Sequence, residues 1–140
     1  MQDLTKPTKI KEIKRSWHKV SVDDVVLGRS ATKIAALLMG KNKAYFAKNL
    51  DCGDYVVVTN AATVKVTGNK EMAKVYTRYS GYPGGLHSAR LEEVRAKNPT
   101  EILRHAVSGM LPKNKLRAQM LKRLFVYADQ QHPYKEKFSK

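Results

Sequence analysis

Apolar positions along this chain recur at two spacings, and the switches between them mark out its elements. Trp17, Val20 and Val22 are strand-favouring, so 17–22 reads as a strand. From Arg29 to Met39 the period becomes helical. Ile34, Leu37 and Leu38 make the apolar face, Ala31, Ala35 and Ala36 allow close packing, and Gly40 stands where helices commonly stop. Tyr55 to Thr59 is a continuous apolar run, the pattern of a central parallel strand buried on both faces. Val64 and Val66 alternate with Lys65 before Thr67-Gly68-Asn69-Lys70, a turn by composition. Lys74 to Tyr79 is another strand, and Ser80 to Gly85 a glycine-rich loop.

Helices are expected over Leu91–Lys97 and Thr100–Ser108, separated by Asn98-Pro99, with Ile102, Leu103, Ala106 and Val107 forming the second apolar face. Gly109 and Pro112 then punctuate. Leu116, Met120, Leu121 and Leu124 return at helical spacing, and Leu124 to Tyr127 reads as a last strand. Strands alternate with helices, so the expectation is an α/β fold: a small, mostly parallel sheet with helices on both faces. Residues 1–15 are polar and lysine-rich. They are expected to form an arm that orders on binding, with Ile10 and Ile13 able to make one short amphipathic turn. Residues 16–129 form the single domain, and 130–140 a loose polar tail. No internal repeat or low-complexity tract interrupts this order.

Charge changes the picture most. The chain has 140 residues, with 27 Lys and Arg against 12 Asp and Glu, a net charge of +15. Such an excess repels itself unless a polyanion neutralises it. The acids are also missing in blocks: none occurs from Val25 to Leu50 or from Ile102 to Ala128. Gly109 to Leu124 carries Lys113, Lys115, Arg117, Lys122 and Arg123 and no acid, with Lys115, Lys122 and Arg123 expected on one side and Leu116, Met120 and Leu124 on another. Nucleic acid is the first partner this suggests. An anionic membrane surface is the second, and a bare solvated basic surface the third. No apolar run approaches the roughly 20 residues that cross a bilayer. The start of the chain has no apolar stretch of signal-peptide type, and Asp3 and Glu12 argue against a transit peptide.

Catalytic chemistry finds little support. Ser80 to Gly85 lacks the spacing of a nucleotide-binding loop and suits a turn whose backbone approaches an RNA phosphate. His18, His87, His105 and His132 are scattered and Cys52 has no partner cysteine, so no metal or cofactor is expected. Cys52 reads as a small inert loop residue. Asp51 and Asp54, with Gly53 between them, read as turn chemistry before a strand. Trp17 reads as a core anchor. Of Tyr76, Tyr79 and Tyr82, at least one should be core while the others reach toward RNA.

A set of landmarks then appears in order: Trp17, Leu27-Gly28-Arg29, Gly40-Lys41-Asn42-Lys43, Asp51 to Val58, Asn60-Ala61, Thr67 to Lys70, Gly81 to Leu86, Gly109 to Asn114 and Leu124 to Tyr127. In this order and spacing, over Trp17 to Asp129, the chain resembles the universal large-subunit ribosomal protein L-thirteen family, of bacterial type. The resemblance implies a three-layer α/β/α fold around a small parallel sheet. It also implies a structural, non-enzymatic protein of the ribosome that binds large-subunit ribosomal RNA, supports early subunit assembly and touches neighbouring ribosomal proteins. That places it in the cytoplasm, an organellar ribosome being the alternative, with no membrane and no obligate homo-oligomer. By likeness the RNA-facing groups are Arg29, Lys41, Lys43, Lys70, Lys74, Arg78, Lys113, Lys115, Arg117, Lys122 and Arg123. Two departures stand out: the extension before Trp17 is longer than in many bacterial members, and His87 stands where lysine is common.

Overall fold

A computed structural model describes residues 7–138. Its centre is β2 (Tyr55–Thr59), flanked by β1 (Trp17–Ser21) and β5 (Leu124–Val126), both parallel to it. A strand between two others must bury both faces, and Val56, Val57 and Val58 are all fully buried. Parallel strands need crossovers. The first is α1 (Leu27–Met39), which ends at Gly40 in the left-handed conformation with φ 76°. The second runs through α2 (Lys70–Ala73), the antiparallel hairpin β3 (Val75–Tyr79) and β4 (Leu86–Arg90), then α3 (Leu91–Lys97), α4 (Pro99–Met110) and α5 (Leu116–Lys122).

Side chains alternate across a strand, which gives the sheet two different faces. Val20, Val56, Val58, Leu124 and Val126 look inward, onto Ala31, Ile34, Ala35 and Leu38 of α1 and Ile102, Leu103 and Val107 of α4. Trp17, Tyr55 and Phe125 look the other way. Trp17 stacks on Tyr55 at 4.5 Å between centroids and lies 5.9 Å from Phe125.

That second face is covered by the carboxy-terminal segment, which is not loose. Tyr134 sits 5.2 Å from Trp17 and 4.6 Å from Phe125, and Phe138 meets Trp17 edge-on from a 3₁₀ turn at Lys135–Phe138. Burying exposed aromatic faces outweighs the polarity of the surrounding lysines. Trp17 is therefore an anchor, as its type suggested, but of this outer layer. The arm also has partners: Thr8 donates to the Tyr45 carbonyl and Arg15 to the carbonyls of Asp51 and Gly53, with a 3₁₀ turn at Ile10–Glu12 between them. Residues 1–6 of the arm and 139–140 of the tail lie outside the described residues.

The α/β class and the helices packed about the parallel sheet follow the sequence reading. Three details emerge only in the structure. The 74–79 strand does not join the central sheet but pairs with 86–90 in a separate two-stranded hairpin. The alternation of Val64 and Val66 with Lys65 comes to a single bridge, between Val26 and Lys65. The basic helix is seven residues long, and Leu124 leaves it for β5.

Candidate nucleic-acid interface

The basic residues singled out from the sequence fall into two groups with different surroundings. The first lies beneath the amino-terminal ends of β1 and β2, where Asp51 and Asp54 enter the interior. Asp54 is 5 % exposed. Its Oδ1 accepts from the Ser16 amide at 2.9 Å and from Lys43 Nζ at 2.5 Å, and its Oδ2 meets His18 Nε2 at 2.8 Å. Burial pushes this carboxyl up, but the hydrogen bonds from Lys43, Ser16 and His18 outweigh it and hold the group below its usual range. Lys43 completes its donor set on the carbonyls of Lys14 and Cys52. Arg123 grips Asp51 with both terminal nitrogens, and Arg15 approaches the same carboxylate at 3.5 Å.

Gly53 sits between these carboxylates because nothing larger fits. A Cβ there would stand 1.6 Å from the Leu38 carbonyl oxygen and 2.8 Å from the Arg123 guanidinium. Gly40 meets the same segment from the other side, its Cβ position only 2.5 Å from the Cys52 carbonyl oxygen. Loop 40–54 is thus pinned to the end of α1, with Cys52 wholly buried.

This arrangement changes the standing of two residues placed among the RNA-facing set. Lys43 and Arg123 are internal counter-ions; their side chains are 14 % and 9 % exposed and committed to Asp54 and Asp51. The cause is local charge balance. Asp51 and Asp54 are the only acids between residues 25 and 70, and a buried carboxylate requires a partner. Arg123 closes α5 by turning inward, away from Lys115 and Lys122.

The second population points outward. Arg29, Lys41, Lys70, Lys74, Arg78, Lys113, Lys115 and Lys122 are exposed and Arg117 is half-buried. Among the described residues none of these nine has a carboxylate within ion-pair distance. Three clefts organise part of the set. Lys70 and Lys74 line one of about 330 Å³ together with Gly28 at the start of α1 and Gly109 at the end of α4. Lys41 lines a second of about 420 Å³ with Phe46, Lys48, Met110, Pro112 and Asn114. Met110 borders both, so the two lie side by side along α1 and α4. Arg78 lines a third, between the hairpin and α3–α4, beside His87, Lys97 and His105. Lys113, Lys115, Arg117 and Lys122 belong to none of the three clefts; they line the turn after α4 and the surface of α5. Lys48 and Lys97, absent from the sequence-derived set, also line these walls; the run without acids around Lys48 was the available signal.

Such a surface can bind a polyanion at many points. Among the described residues no three His, Cys, Asp or Glu converge as a metal site would require, and no helix is long and apolar enough to cross a membrane. Comparison with known proteins gives the family. Residues 15–133 match the family described as ribosomal protein L13. The chain belongs to the ribosomal protein L13 family. Proteins named large ribosomal subunit protein uL13 resemble it over most of their length. The one from Syntrophotalea carbinolica is 49 % identical over 93 % of this chain and 92 % of its own. That from Solibacter usitatus is 51 % identical over 91 % and 89 %, and that from Streptomyces griseus 49 % over 88 % and 84 %. The L13 match begins at the arm's last residue, Arg15, and extends past Asp129 to include the buried His132. L13 proteins are structural constituents of the large subunit rather than enzymes, in keeping with a site built of cations.

Proposed function

We propose that this chain is a structural constituent of the large ribosomal subunit that binds large-subunit ribosomal RNA and supports early subunit assembly in the cytoplasm. Its RNA-facing groups are Arg29, Lys41, Lys70, Lys74, Arg78, Lys113, Lys115, Arg117 and Lys122. The observation that carries this reading is a separation within the sequence-derived set: among the described residues these nine outward cations have no carboxylate within ion-pair distance, while Lys43 and Arg123 have turned inside onto Asp54 and Asp51. Lys and Arg neutralise phosphates and release counterions, which supplies affinity and a steep dependence on salt. Recognition then rests on shape, since a rigid body with clefts on several sides meets several RNA segments at once. Neighbouring ribosomal proteins complete the surroundings. Residues 16–129 act as the body, against which the described parts of the arm and tail pack. The test is co-sedimentation of the tagged chain with large subunits across a salt series. Retention at physiological salt and release only at high salt is expected; absence from the large-subunit fraction overturns the proposal.

A further inference from the structure

The β3–β4 hairpin has one face that no described residue covers. Residues directly opposite in an antiparallel pair share a face. Tyr76 and Arg78, opposite Ala89 and His87, look onto α3 and α4, where Tyr76 meets His105 edge-on at 5.0 Å. Tyr76 is therefore the tyrosine of the three that joins the body. The other face carries Val75, Tyr79 and Leu86, 49, 63 and 64 % exposed, and Tyr82 in the connecting turn is 75 % exposed. A two-stranded hairpin has no stability to spare for exposed aromatic area, and such patches mark contact surfaces.

The charge of the hairpin indicates the occupant of this face. No acid occurs from Met72 to Leu91; Arg90, opposite Val75, shares the face, Lys74 precedes β3, and Arg78 and His87 stand on the other side. Flat apolar rings on an acid-free basic hairpin match a ligand with flat apolar rings and anionic linkers. Unpaired nucleotides have that chemistry: bases stack on tyrosine, and phosphates pair with lysine and arginine. The turn assists by its bareness, since Gly81 and Gly84 have no heavy atom within 4 Å of where a Cβ would stand. We propose that Tyr79 and Tyr82 form a stacking platform for unpaired bases of the ribosomal RNA. This rests on the RNA-binding reading above and adds a site that charge alone does not require.

The experiment compares the full chain with a Tyr79→Leu/Tyr82→Leu double variant and a Tyr79→Phe/Tyr82→Phe double variant. Leucine keeps apolar area and removes the ring; phenylalanine keeps the ring. Affinity is measured for a full-length large-subunit ribosomal RNA transcript across a salt series, and ultraviolet crosslinks are mapped in assembled subunits by mass spectrometry. With stacking worth on the order of tenfold per ring, the leucine variant loses on the order of a hundredfold. Its salt slope and melting temperature stay those of the parent, because no charge and no core contact changes. The phenylalanine variant binds within about twofold of the parent, and nucleotide adducts appear on the Tyr79 or Tyr82 peptide. Leucine-variant binding close to the parent's, with the parent's steep salt slope intact, overturns the platform and leaves the RNA reading standing. Crosslinks from this face to a protein overturn it too. A parent chain with no preference for ribosomal over unrelated RNA removes both readings.

Discussion

Arg123→Gln, beside Lys122→Gln, separates the two kinds of basic residue most sharply, because the two positions are neighbours in sequence and opposites in use. Arg123 is 7 % exposed and holds Asp51 with two charge-assisted bonds while reaching the Leu38 carbonyl. Removing one partner of a buried pair costs about 3–5 kcal/mol, chiefly because the other charge is stranded. Asp51 keeps Arg15 at 3.5 Å, so the lower end, about 3 kcal/mol, applies here. In a chain of this size each kcal/mol moves the melting temperature by roughly 3–4 °C, giving a loss of about 10 °C. Lys122 is exposed with no carboxylate partner among the described residues, so Lys122→Gln should shift stability by no more than about 0.5 kcal/mol. The assay is thermal unfolding by circular dichroism of RNA-free protein. An Arg123→Gln variant that melts within about 2 °C of the parent, well inside the shift worked out above, refutes the internal assignment.

Three further outcomes follow from the same contacts. Gly53→Ala forces a methyl against the Leu38 carbonyl and should destabilise by about 3 kcal/mol or prevent folding, read by urea denaturation; a parent-like midpoint contradicts the close approach. Trp17 is the sole tryptophan, so Tyr134→Ala, which uncovers its ring, should red-shift the emission; an unchanged spectrum means that the tail does not cover it. Burial, aided by Lys19 and Lys135, holds the His132 imidazole below its usual value. The folded form thus binds fewer protons there, so His132 contributes stability above the unfolded value of about 6.5 that fades as pH falls through the folded one. Asp54, also depressed, adds a second loss below about pH 4. His132→Gln should flatten the melting-temperature profile between about pH 7 and 5 and leave the acid limb intact; a profile identical to the parent's contradicts the burial.

Much of the body was legible because apolar periodicity reports burial directly. Tyr55 to Thr59 read as a central strand and is one, and Ile34, Leu38, Ile102, Leu103 and Val107 line the core as their spacing implied. The hairpin's second strand was not legible: Leu86–Arg90 has little apolar alternation since one of its faces is bare, and the glycines just before it, Gly81, Gly84 and Gly85, suggested only a loop. The tail misled for the opposite reason. Tyr134 and Phe138 lie among charged residues, and only the aromatic outer face of the sheet reveals what they cover. Within the basic set, a lysine that meets phosphate and one that meets a buried aspartate look alike in sequence. Asp51 and Asp54 held the clue, as lone acids in a long basic stretch that needed cations of their own.

The central claim is that the outward cations, and not the inward ones, bind ribosomal RNA phosphates. Its most direct test is the slope of log affinity against log salt for large-subunit ribosomal RNA, measured for the parent chain and for Lys113→Gln/Lys115→Gln/Lys122→Gln. Each phosphate contact contributes roughly 0.7–0.9 to that slope, so the triple variant should lose about 2–3 from it while melting like the parent. A triple variant with the parent's slope, or a parent whose affinity is flat in salt, contradicts the account.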